Sequence, residues 1–262
     1  METNNFDPTE NDMDQSQYID NEYNDFLKNR MSSSETFDHW QQNIPHLIFK
    51  YKALDSALEL VRATDIFVNY RLFMPTSDNL NDPFEGGNVD FSSSSFSERI
   101  KKCKILSLSY DCFSPPLWAH YASECSGICI GFSTYSSFQD IKEIRYSDTI
   151  DKKQWFSSDE NDAIKHEFLY KNTSWNYESE YRIISEKDEE YFQFNKSEIA
   201  VVIFGNKINP DIKNFFLQFI PNTCYKFDIK SDKNRSRYYI EQCDIDDSPI
   251  YELEELYQKV IK

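Results

Sequence analysis

Glycine is scarce in this chain of 262 residues, with only five: Gly86, Gly87, Gly127, Gly131 and Gly205. Their positions build no GxGxxG turn, no GxxxxGK[ST] loop and no GxSxG elbow, which excludes Rossmann, Walker and serine-hydrolase signatures. Any nucleotide bound here needs another architecture. The six cysteines are too few for a disulfide framework of this length. Cys125 and Cys129 stand four apart without the second Cys or His pair that a zinc site requires. His166-Glu167 is not followed by a histidine at the zincin spacing. No apolar run approaches the roughly 20 residues that cross a bilayer. The opening METNNFDPTE is acidic and lacks the basic and apolar regions of a signal peptide. Positive charge is in deficit: 28 Lys and Arg against 45 Asp and Glu give −17, a field that repels nucleic-acid backbones. These absences predict a reduced, cytoplasmic protein with no membrane partner and no metal.

Aromatic residues, by contrast, are abundant at 16%, and with 39% apolar and 28% charged residues the chain has the makings of a folded core. Residues 1–45 stand apart, with ten acidic against two basic side chains, a local charge of −8. Tyr18, Ile19, Tyr23, Phe26 and Leu27 recur at near-helical spacing there. That segment reads as an acidic, partly disordered or helical arm, which docks on the domain, binds a partner or solubilises the chain.

Residues 46–262 read as a single domain. Strands are expected at 47–52, 65–73, 104–110, 127–132, 144–146, 177–184, 199–204, 225–229 and 237–243. Helices are expected after Asp55 and over 96–102, 117–122, 159–172, 211–219 and 252–262. Their irregular order argues for an α+β fold rather than a regular parallel sheet.

Three clusters carry polar chemistry. On a strand over 177–184, alternation sets Glu178, Glu180 and Arg182 on one face. That face is either a cleft wall or an exposed surface where Arg182 offsets its neighbours. Asn81-Asp82-Pro83-Phe84-Glu85 reads first as a turn, because Asn81 and Asp82 can bond their own backbone and Asp before Pro prefers extended geometry. In Leu117-Trp118-Ala119-His120-Tyr121, His120 is either an acid–base group or a hydrogen-bonded histidine beside a packed Trp118.

In order along the chain, IFKYK, NLNDPFE, ILSLS, PLWAHYA, GICIGF, WNYESEYRII and VVIFG resemble the bacterial family called domain of unknown function 2971, over roughly residues 47–240. A second resemblance is to ADP-ribosyltransferases, which open a split β-sheet cleft for NAD without a glycine loop. Ile48-Phe49-Lys50 is similar to their first motif, Ser107-Leu108-Ser109 to their serine motif, and Glu178-Ser179-Glu180 to their Glu-x-Glu. This resemblance implies a split mixed or antiparallel sheet with a cleft, flanked by helices, and NAD as substrate. It implies Glu180 on the ribose and its developing positive charge, and Glu178 orienting or deprotonating the acceptor, with both glutamates catalytic. Lys50, Ser107 and Ser109 would hold the ribose and phosphate side. Tyr51, Tyr110 and Trp118 would stack, with Asn81, Asp82 and His120 nearby. The acceptor (protein, nucleic acid or small molecule) is left open, and the setting implied is a bacterial toxin or phage defence. Two departures stand out. Lys50 replaces the usual histidine or arginine, and the serine motif lacks its usual middle residue. They leave two other readings: a binding or sensor module that has lost catalysis, and a nuclease holding a divalent ion on Asp82, Glu85 and Glu178.

Overall fold

The first strand, LIFKYK, runs Leu47–Lys52 and buries Leu47, Ile48, Phe49 and Tyr51. In the computed structural model the described residues are 46–85, 94–149, 164, 167–234, 236–243 and 250–251. The acidic arm over 1–45, half of the helix expected over 159–172 and the helix expected over 252–262 lie outside them; within the described half, Tyr170–Lys171 is strand rather than helix. In chain order the elements are β1 (Leu47–Lys52), α1 (Ala57–Val68), β2 (Arg71–Phe73), α2 (Ser94–Lys102), β3 (Lys104–Ser109), α3 (Pro115–Tyr121) and β4 (Ile128–Ser133). There follow β5 (Lys142–Glu143), β6 (Arg145–Tyr146), β7 (Tyr170–Lys171), β8 (Glu180–Ser185) and β9 (Tyr191–Gln193). The last are β10 (Ile199–Phe204), α4 (Pro210–Leu217), β11 (Tyr225–Asp232), β12 (Arg237–Gln242) and β13 (Ile250–Tyr251).

Nine of these strands form one sheet in the order β13-β12-β11-β10-β4-β1-β3-β8-β5. Its pairings are antiparallel except β10 with β11, which α4 joins as a parallel crossover. Two small two-stranded sheets, β2 with β9 and β6 with β7, complete the described strands. The fold is α+β with a mixed, mostly antiparallel open sheet flanked by helices. Among the described residues the expected split sheet is one continuous sheet, because β1 pairs on both sides and ties the strands together.

Those two pairings are unequal. Against β4, β1 is in register for six residues, from Leu47 opposite Ser133 to Lys52 opposite Ile128. Against β3 it meets at one point, Phe49 opposite Ser109. The sheet therefore opens at the β1–β3 seam. On the closed side Gly131 is required: a Cβ there would lie 2.4 Å from Val201 Cγ1 and 2.7 Å from the Phe49 ring. The missing side chain lets Phe49 lie flat across the strand.

The strand expected over 65–73 begins as helix, through Val68. Ser56 caps α1 by accepting a hydrogen bond from the Glu59 amide, and the helix continues through Ile66, Phe67 and Val68. Ala63, Ile66 and Phe67 share its buried face, and Phe67 packs edge-on against Phe216 of α4, 5.9 Å between ring centres. Burial of that stripe outweighs the strand preference of Ile, Phe and Val. Tyr70 then takes a left-handed conformation, and only Arg71–Phe73 remains extended.

Candidate functional site

A cavity of about 220 Å³ sits at the opened seam, its walls including Phe49, Lys50 and Tyr51 of β1 and Ser107, Leu108 and Ser109 of β3. Diverging strands leave backbone carbonyls without ladder partners. Lys50 answers one of them, its ammonium donating to the Ser107 carbonyl at 2.7 Å across the seam. On the adjacent strand the Ser107 hydroxyl bonds Glu180.

Glu180 and Glu178 both reach this cavity, though not by strand alternation. Thr173–Glu178 is a 3₁₀ helix, and β8 begins only at Glu180. Between them Ser179 is left-handed, with φ 45° and ψ 51°. That single reversal turns the chain from helix to strand, so two carboxylates of different elements converge. The Ser109 hydroxyl donates to the Glu178 carbonyl at 2.6 Å, and the Glu180 amide donates to the Tyr146 hydroxyl at 2.8 Å. The bend is thus held from both sides.

Around these carboxylates lies a buried ion network. Arg182 grips Glu180 with two nitrogens, Nε at 2.6 Å and Nη2 at 2.9 Å. Nη2 also donates to Glu85 at 2.7 Å, and Nη1 to the Phe168 carbonyl at 2.9 Å. Lys171 donates to Glu178 at 2.5 Å and to Glu180 at 3.2 Å, with its ammonium 4.6 Å from the centre of the Trp175 ring. The Tyr121 hydroxyl donates to Glu178, and the Asn81 amide donates to both Tyr121 and Glu178. The side chains of Lys171, Arg182 and Glu85 are 1% exposed, and those of Glu178 and Glu180 are 6% and 5%. The alternative of an exposed, solvated strand face is overturned.

Electrostatics divide the carboxylates. Burial opposes the charge of Glu180, but Arg182 and Lys171 override it and hold the carboxyl down to about 2. Glu180 is a fixed anion. Burial dominates at Glu85 and pushes it up to about 7 despite Arg182 and Lys171. Its Oε2 is buried without a hydrogen-bond partner. Burial, reinforced by Lys52, brings Lys50 down to about 8. Tyr121 is raised by burial and by its bond to Glu178.

Residues 117–183 match the model of a family described as a protein of unknown function (DUF2971). Over that segment, about a quarter of its length, the chain is similar to that family. The matched segment carries Tyr121, Lys171, Glu178, Glu180 and Arg182, while Lys50, Glu85 and Ser107 lie N-terminal to it. No curated protein and no solved structure matches the chain.

Of the residues singled out from sequence, Lys50, Tyr51, Asn81, Ser107, Ser109, Glu178 and Glu180 line the cavity. Four do not. Trp118 is wholly buried, edge-on to Tyr51 at 5.3 Å with its indole N–H on the Cys112 carbonyl, so it supports the wall rather than forming it. Tyr110 is buried one residue beyond β3. His120 is exposed on α3 near Tyr177. Asp82 caps its own turn by accepting from the Phe84 amide at 3.0 Å, which delivers Glu85 into the network. Among the described residues no group of three or more His, Cys, Asp or Glu is arranged to hold a metal ion, so the Asp82–Glu85–Glu178 metal site does not form. Lys171, Tyr121 and Tyr146 were missed. The signal available for Lys171 was a lone cation directly after the apolar Phe168-Leu169-Tyr170.

Proposed function

We propose that this protein cleaves the nicotinamide–ribose bond of NAD and transfers ADP-ribose to an acceptor. The observation that carries the reading is convergence: Lys50, Ser107, Glu178 and Glu180, scattered over the chain, line one cavity at a sheet opening. At about 220 Å³ the cavity is smaller than the roughly 300–1,000 Å³ of drug-sized ligand pockets, which suits the nicotinamide–ribose end of a dinucleotide rather than the whole. Breaking the C1′–N bond sends its electron pair to nicotinamide and leaves an oxocarbenium-like ribosyl centre. Glu180, ionised at all physiological pH values, opposes that charge from a site closed to water. An acceptor hydroxyl, amine or water then attacks C1′ and gives up its proton, for which Glu178 is the nearby base.

Glu180→Gln keeps the shape and removes the charge. Nicotinamide release per folded molecule, with folding checked by circular dichroism, should fall about 10²–10³-fold. Equal rates in the two proteins would overturn the reading. A second reading, a binding module without catalysis, is favoured by the bidentate grip of Arg182 on Glu180, which already spends part of that charge. NAD binding without nicotinamide release from the wild type would select it.

A further inference from the structure

Next to the seam cavity lies another, of about 320 Å³, which shares Lys50, Pro75 and Asn79 with it. Every charged residue on its wall is a cation: Lys50, Lys52 and Arg62. In a chain of charge −17 that concentration runs against the overall field. Lys50 and Lys52 come from β1, and Arg62 comes from the helix that follows it. The Arg62 guanidinium carbon lies over the Phe73 ring, 4.5 Å from its centre, which helps to hold the group at the wall. Glu59 neutralises part of the group, bonding Lys52 at 2.8 Å and Arg62 at 3.3 Å. It does not line the cavity, and three cations against one carboxylate leave an excess of positive charge. Lys50 spends one of its three ammonium protons on the Ser107 carbonyl.

We propose that this second cavity binds the phosphate or diphosphate of a nucleotide whose ribosyl end occupies the seam. Its attachment to the seam rests on the transferase reading; the anion site itself does not. The two cavities meet at Lys50, so one ammonium serves both, at the junction of ribose and phosphate. Burial, and then Lys52, lower the proton affinity of Lys50 against the opposing pull of Glu180 and Glu59, and a bound phosphate would raise it.

The probes are inorganic pyrophosphate, which lacks a ribosyl end, and nicotinamide riboside, which lacks phosphate, both followed by calorimetry. Replacing Lys52 and Arg62 together by Ala should weaken pyrophosphate binding roughly 10-fold or more, with little change for nicotinamide riboside. Glu59→Gln releases both cations and should tighten pyrophosphate binding roughly 2–5-fold. Its gain of function cannot come from misfolding. Unchanged pyrophosphate affinity in both variants, or a wild type that binds no pyrophosphate at low salt, overturns the site. If pyrophosphate binding depends on these residues while the wild type releases no nicotinamide, the anion site stands and the transferase reading falls. If nicotinamide is released with the same KM for NAD in wild type and double variant, the anion site falls and the transferase stands.

Discussion

The two edges of β1 are built for different ends. Toward β4 the strand is in register over six residues, and Gly131 lets Phe49 and Val201 close over it without a gap. Toward β3 it touches at one register point, and the space beyond is filled by a lysine, three carboxylates and two further cations. The apolar edge gives stability through area and close packing. The charged edge rests on desolvated ions that stabilise only while every partner is present. Its support is apolar: Ile105 of β3 packs with Ile164 and Phe168, and the Phe168 carbonyl receives Arg182. One strand thus joins a region that tolerates no added atom to one that tolerates no missing charge.

That contrast is broken most severely at Arg182. Arg182→Met leaves Glu180 without its bidentate partner and Glu85 without its hydrogen bond, both buried. The expected loss is about 3–5 kcal/mol in urea unfolding. Adding Glu180→Gln to that variant should recover part of it, because a neutral amide no longer sits unpaired in a dry site. A loss under about 1 kcal/mol would mean that water reaches the network and that the charged edge is open.

The closed edge fails differently. Gly131→Val drives a branched side chain into Val201 and the Phe49 ring, and should cost about 2–3 kcal/mol through overpacking. The damage is steric, so the loss should be independent of pH and salt. A salt-dependent loss would show that the two edges are coupled through β1.

The closed edge was legible in the sequence and the charged edge only in part. Ile-Cys-Ile-Gly-Phe and Ile-Ala-Val-Val-Ile-Phe are short apolar runs that announce buried strands, and β4 and β10 lie within a residue or two of their expected limits. Glu178 and Glu180 were also visible as a pair, but the alternation invoked to join them does not apply, because Glu178 ends a 3₁₀ helix. Nothing local marks Ser179 as left-handed; its conformation is set by tertiary bonds, with its carbonyl taking the Tyr110 amide at 2.9 Å. Lys171 comes from the two-residue strand β7 and Glu85 from a turn, and long-range ion pairs leave no periodicity to read. In α1 the error ran the other way: β-branched and aromatic residues suggested a strand where a buried helical stripe won.

The smallest effect separates the carboxylates within the charged edge itself. Glu85 holds its proton up to about 7 in the folded protein, above the ordinary 4.5. Between those values the folded chain binds a proton that the unfolded chain has released, so stability falls as pH rises through the window. Glu180 has the opposite sign: its carboxyl is held down to about 2, and the stability it contributes is lost as pH falls from about 4.5 toward 2. The network should therefore contribute most near pH 4.5. Glu85→Gln removes the upper slope alone. Between pH 5 and 7.5 the wild type should lose on the order of 1 kcal/mol more than this variant in urea unfolding. Ionisable groups remote from Glu85 contribute alike to both proteins and cancel in the difference. Identical slopes would mean that Glu85 is ionised beside Arg182 at neutral pH, as Glu180 is.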